Sequence, residues 1–160
     1  MQKYRLEKIV VSAGLGRMRQ NPQFEDKILP EITREISGIV GQRVAPCRAR
    51  KSIASFKVRE GDVIGVVATL RGKRMQDFFD KVVHIALPRV RDFRGIDLKQ
   101  FDDRGNVTIG FKDHTIFPEV NPEKSHTTFG LEVTMVASTT SKEEGIEFFR
   151  SLGLPLKKND

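Results

Sequence analysis

Apolar residues recur at steps of four from Phe24 to Val40, with Ile28, Ile32 and Ile36 between them, which places all five on one stripe of a helix. Gly41 stops that helix, and Pro30 interrupts it. An interior proline costs about 3 kcal/mol, so the helix either kinks at Pro30 or a second helical segment opens with Pro30 as its first residue. A second apolar face is made by Met75, Phe78, Phe79, Val82, Ile85 and Ala86. It predicts a helix over "KRMQDFFDKVVHIALPRV", with Pro88 ending it nearby. A last helix begins at Ser141, where Ser141 and Glu144 form a capping box ahead of Ile146, Phe149 and Leu152.

Between these helices the apolar runs are short and β-branched. "YRLEKIVVSAG" predicts a strand ending at Gly14 and Gly16, and "DVIGVVATLRG" a buried strand after a turn at Glu60, Gly61 and Asp62. "VAPCRA" and "SIASFKV" read as short strands around a basic loop, and "NVTIGF" and "LEVTMVAST" as two more. From Asp92 to Asn106 the chain is charged and turn-rich. The order strand, helix, strands, helix, strands, helix, with no internal repeat, favours an α+β sheet with helices packed on one face.

Length changes this picture little: 160 residues suit one domain, residues 1–160, and a chain of about this size buries roughly 68–70% of its unfolded surface. The single cysteine, Cys47, cannot form an internal disulfide, and no amino-terminal stretch joins a charged start to a long apolar run. No run approaches the ~20 apolar residues of a membrane span, so an intracellular soluble protein without a membrane partner is expected.

Charge changes it a great deal. From Gln42 to Arg104 there are 15 Lys and Arg against 8 Asp and Glu, a surplus equal to the formal net charge of +7 on the whole chain. Six of those cations fall between Arg43 and Arg59 with no acidic residue among them, interleaved with Ile53, Phe56 and Val58. Such asymmetry marks a polyanion site, because each cation set on a phosphate releases condensed counterions. The bland reading is a solvated basic face.

Catalytic signatures are weak by comparison. "GLGRMR" resembles the opening of a dinucleotide fingerprint, but Arg19 stands where the third glycine belongs, so a tight turn is the plainer reading. His84 sits on the predicted helix, His114 and His126 in loops, and Cys47 has no histidine near it in sequence. Asp92, Asp97, Asp102 and Asp103 could bind magnesium in a nuclease, yet they alternate with Arg89, Arg91, Arg94, Lys99 and Arg104, as local ion pairs do. No helix-turn-helix, zinc or aromatic-rich strand motif is present. A sheet face carrying Ser12, Gln42 and Thr69 among arginines would suit backbone and 2′-hydroxyl contacts on a folded RNA.

Several long motifs in order then carry a resemblance. "IVGQRVAPCRARKSIASFKVREGDVIGVVATLRGKRMQDFF", "LPRVRDFRGID", "FDDRGN", "IFPEV" and "TSKEEG" make residues 5–156 resemble the bacterial form of the 5S ribosomal RNA-binding family of large-subunit ribosomal protein number five. The resemblance implies an antiparallel sheet with helices on one side, an open face gripping 5S rRNA in the central protuberance, a place in the cytoplasmic ribosome beside 23S rRNA, and no enzyme activity or cofactor. Carried over by motif, the 5S-facing positions are Ser12, Gly14, Gln42, Thr69 and Arg71. The family usually has asparagine where Ser12 stands, so one direct contact becomes water-mediated. The loop "RARKSIA" looks like the family's finger toward P-site tRNA, with Arg48, Arg50, Lys51 and Ser52 on the RNA and Ile53, Ala54 and Phe56 anchoring its base. "LPRVRDFRGIDLKQFDDRGN", with Arg91, Arg94, Asp97 and Arg104, corresponds to the region near the intersubunit bridge to small-subunit protein thirteen. Asp103 stands where the family commonly has glycine, at some cost if that position needs a positive φ. The chain starts almost at its first strand, without the amino-terminal helical extension common in bacterial members, so contacts made by that segment are not among those the resemblance implies. Two other classes compete: a generic RNA chaperone, and a metal-dependent nuclease using Asp92 or Asp102.

Overall fold

Alternation sets the strands. In β1 (Leu6–Gly14) Ile9, Val11 and Ala13 are buried while Val10 and Ser12 are half-buried, and in β5 (Leu131–Ala137) Val133 and Met135 are buried beside half-exposed Thr134 and Val136. With β2 (Ala45–Arg48), β3 (Val63–Leu70) and β4 (Val107–Phe111) these strands form one five-stranded antiparallel sheet ordered β2–β3–β1–β5–β4, the α+β architecture the element order favours. The computed structural model describes residues 3–158, with the backbone alone for Phe56. Two compact units divide the chain.

One unit comprises residues 1–10, 69–111 and 132–160. Here α2 (Gly72–Lys81) runs into a wide π turn at Val82–Ala86 and then a single turn, α3 (Leu87–Arg89). Met75, Phe78, Phe79, Val82, Ala86 and Leu87 are buried. Ile85, expected on that face, is instead exposed, because the widened turn resets the helical phase and carries it off the buried stripe. Helix α4 (Lys142–Ser151) starts as the capping box requires, the Ser141 hydroxyl accepting from the Glu144 N–H at 3.3 Å. The return arm lands one residue earlier, with the Glu144 carboxylate accepting from the Thr140 N–H at 2.9 Å. Phe149 is fully buried, but its core partner is Phe148, whereas Ile146 and Leu152 are only half-buried.

The other unit comprises residues 11–68 and 112–131. A π turn at Phe24–Ile28 leads into α1 (Leu29–Val40) through helical backbone at Ile28 and Leu29, so Pro30 stands in the first turn of an α-helical segment, where its missing N–H costs least. Ile32, Ile36, Ile39 and Val40 are buried, and Gly41 caps the helix at φ 76°. The strand expected over "SIASFKV" does not form. Ala54–Phe56 is one 3₁₀ turn bracketed by a bridge between Ile53 and Val58. Its apolar residues fall at spacings of three and then two, which no single strand face can use.

Candidate nucleic-acid interface

The basic segment is built into a hairpin whose charge its own backbone leaves uncancelled. Cys47 stands opposite Gly65 and Arg48 opposite Val63, so Ile64 is the extra residue of a bulge and is 36% exposed. Gly65 has no room for a side chain there: a Cβ would lie 2.7 Å from the Ala13 carbonyl oxygen. Past the bulge, the Ala49 N–H donates to the Asp62 carbonyl at 2.8 Å and the Gly61 N–H to the Ala49 carbonyl at 2.9 Å. Farther out, the Glu60 N–H donates to the Ser52 hydroxyl at 3.0 Å, and Ile53 and Val58 exchange bonds of 2.8 and 3.1 Å.

Asp62 anchors this hairpin electrostatically. Its carboxylate accepts from the Arg59 N–H at 2.8 Å and from the Arg19 guanidinium, and these donors, against some desolvation, hold its carboxyl below the usual aspartate range. The Arg48 guanidinium donates to the Gly61 carbonyl at 3.0 Å. Arg50 and Lys51 are exposed, and neither has a carboxylate partner among the described residues.

Among the positions expected to face a transfer RNA, then, Arg50 and Lys51 are free cations, Arg48 is partly structural, and Ser52 serves the hairpin itself. The expected anchors are corrected. Ile53 is 45% exposed and Ala54 is exposed, so neither anchors the loop by burial, and the Phe56 side chain lies outside the described part of the chain. Arg17, in the turn after β1, is a basic residue of this region that sequence reasoning did not select. Its only sequence signal is its place in "GLGRMR", next to glycines that mark a turn.

The positions expected to face 5S rRNA sit on or beside strands. Ser12, half-buried, and Gly14, exposed, are two residues apart on β1 and share its outer side. Thr69 is exposed near the end of β3, Arg71 is exposed at the entry to α2, and Gln42 is half-buried just after Gly41.

The third group lies in a tightly hydrogen-bonded loop. Arg91, Arg94 and Arg104 are exposed. Asp97 caps a 3₁₀ turn by accepting from the Lys99 N–H at 3.0 Å, which with nearby Lys157 keeps its carboxyl below the ordinary range. Asp102 accepts from the Arg104 and Asn106 N–H groups, each at 2.9 Å. The left-handed backbone of this loop falls on Asp92, Gly95 and Gly105, not on Asp103, so Asp103 carries no such strain. No cluster of three or more His, Cys, Asp or Glu among the described residues is placed to hold a metal ion.

His114 is the residue whose environment sequence reasoning missed. Expected in a loop, it is fully buried, stacked 3.8 Å from the Phe129 ring, with Nε2 2.7 Å from a Glu35 carboxylate oxygen and 3.2 Å from the Ser125 hydroxyl.

Comparison with known proteins places the whole chain. Residues 1–59 match the family described as "Ribosomal protein L5", and residues 63–156 match the model for the C-terminus of that ribosomal protein family. The chain is 48% identical to large ribosomal subunit protein uL5 of Anaeromyxobacter sp. (strain K) over 158 residues, which covers 99% of this chain and 86% of that one. The uL5 of Heliobacterium modesticaldum is 48% identical, over 98% of this chain and 85% of its own. That of Halothermothrix orenii is 42% identical, over 96% and 84%. With likeness of that strength along nearly its whole length, the chain belongs to the ribosomal protein L5 family, as a non-enzymatic structural constituent of the large ribosomal subunit with ribosomal RNA as its partner.

Proposed function

We propose that within the large subunit this chain binds 5S rRNA, reaches P-site tRNA with the hairpin around Arg50 and Lys51, and contributes residues 91–104 to a bridge with small-subunit protein thirteen. The observation that carries the proposal is the pairing of a hydrogen-bonded hairpin with exposed, uncompensated cations at its outer part. A hairpin stiffened by its own backbone can hold Arg50 and Lys51 against phosphates at small entropic cost. Ser12, Gly14, Gln42, Thr69 and Arg71 offer small polar groups and a guanidinium suited to sugar and phosphate contacts on a folded RNA. The exposed arginines 91, 94 and 104, beside capped Asp97 and Asp102, present alternating charge suited to a protein surface of complementary pattern.

The test is affinity for 5S rRNA and for a folded control RNA of similar size over a salt series at fixed magnesium. A preference for 5S rRNA that persists as salt rises supports a shaped site. Equal binding that collapses with salt would favour a generic RNA chaperone.

A further inference from the structure

Beside the basic hairpin lies an open groove of about 840 Å³ between the hairpin and the turn that follows β1. Its floor is aliphatic. Ile53 and Ile64 are two of only three exposed large hydrophobic residues among those described, and half-buried Val58 lies with them. Both isoleucines are exposed for local reasons: Ile64 is the extra residue of the bulge, and Ile53 opens the 3₁₀ turn. The rim holds Arg17, Arg50, Lys51 and Lys57, and no acidic side chain lines the groove.

Neighbouring cations are already engaged, Arg19 by Asp62 and Arg48 by the Gly61 carbonyl, while the four on the rim have no carboxylate partner among the described residues. Lys57 also stands in left-handed backbone at φ 54°, a conformation that costs a residue with a side chain, and it borders two adjoining grooves as well.

An apolar floor ringed by four uncompensated cations fits a ligand with a flat, weakly polar body and anionic groups on both sides. A nucleotide in an RNA strand has that form, since each base lies between two phosphates. Duplex backbone could meet the rim, but it would leave the isoleucines in water. Splayed bases pack on apolar surfaces and on guanidinium planes such as those of Arg17 and Arg50. We infer that this groove receives one unpaired nucleotide of an RNA loop or bulge, its base on Ile53, Val58 and Ile64 and its phosphates against the rim cations. The inference rests on the RNA-binding reading above and adds the kind of RNA feature recognised.

The test titrates the full chain with two RNA hairpins identical except for one bulged adenosine, at several salt concentrations. The unsubstituted protein should bind the bulged hairpin about tenfold more tightly, toward the low end of what one stacked base contributes. Ile53→Ser with Ile64→Ser should abolish that preference while leaving the affinity for the plain hairpin and its salt slope unchanged. Ile64→Phe, which enlarges the stacking surface, should raise it. Equal affinity of the unsubstituted protein for the two hairpins overturns the inference, as does a preference that survives the double serine substitution. Tighter binding of an acidic, leucine-containing peptide than of the bulged hairpin, lost with the same serines, would assign the groove to a protein and also overturn it. Selective 5S rRNA binding is scored on the same preparations. Loss of 5S selectivity with bulge preference retained counts against the proposed function alone, and the reverse result against the groove alone.

Discussion

His114 shows how much a single side chain can organise. The Phe129 N–H lies 3.5 Å from its Nδ1 and a Glu35 carboxylate oxygen 2.7 Å from its Nε2; with Nδ1 assigned as the acceptor, Nε2 donates to Glu35. Removing the Glu35 carboxylate leaves the buried Nε2–H only the Ser125 hydroxyl at 3.2 Å, so Glu35→Ala should destabilise the protein by about 1 kcal/mol, and Glu35→Gln, which keeps an amide oxygen, by less. Urea unfolding of the two variants compares them directly. Nearby, Glu31 accepts from the His126 N–H at 3.0 Å and faces its Nδ1 at 3.2 Å. The His126 N–H, working against partial desolvation and aided by the imidazole, holds the Glu31 carboxyl below the ordinary glutamate value of about 4.3. A depressed carboxyl contributes stability that is present above its unfolded pKa and is lost as pH falls through the folded one. Glu31→Gln should therefore narrow the stability difference between pH 6 and pH 3. An unchanged difference would mean that Glu31 takes no part in acid unfolding.

At the scale of elements, two prolines are handled by one device. Pro30 and Pro88 each follow a leucine that closes a π turn, Leu29 donating to Phe24 and Leu87 to Val82. A proline lacks the N–H for a bond to the residue four back and its ring crowds that carbonyl, so placing it just past a widened turn lets the helical run continue. Helix α4 depends on a different detail. Gly145 packs on the backbone of Gly105, and a Cβ on Gly105 would lie 2.6 Å from the Ser141 carbonyl. Gly145→Ala should cost several kcal/mol, because backbone rather than a flexible side chain stands in the way. Ser141→Ala, which removes only the cap, should cost about 1 kcal/mol. Thermal unfolding of both variants checks this ranking.

For the whole molecule the governing quantity is charge without a partner. Neutralising Arg50 and Lys51 together should reduce the slope of log affinity for tRNA against log salt by about 1.4–1.8, at about 0.7–0.9 per phosphate contact. Arg48→Gln should reduce the slope less cleanly, since it also removes the bond to the Gly61 carbonyl and loosens the hairpin. Binding titrations between 50 and 200 mM salt separate these effects, and an unchanged slope in the double variant would take the hairpin out of the RNA contact.

Much of this was legible in the chain itself. The step-of-four stripe from Phe24 to Val40, the capping residues Ser141 and Glu144, the β-branched strands and the basic excess between Gln42 and Arg104 are local or additive properties, and they led to the α+β class and to an RNA partner. Long ordered motifs then led to the family. Other features were decided only by tertiary structure. The register slip that exposes Ile64, the phase reset that turns Ile85 to solvent, the 3₁₀ turn in place of a strand at Ala54–Phe56 and the burial of His114 against Glu35 each depend on which backbone lies alongside. The same is true of the basic residues. Sequence counts cations, but only the fold determines that Arg19 meets Asp62 and Arg48 meets a carbonyl while Arg50 and Lys51 meet neither, because an ion pair requires proximity in space and not in sequence.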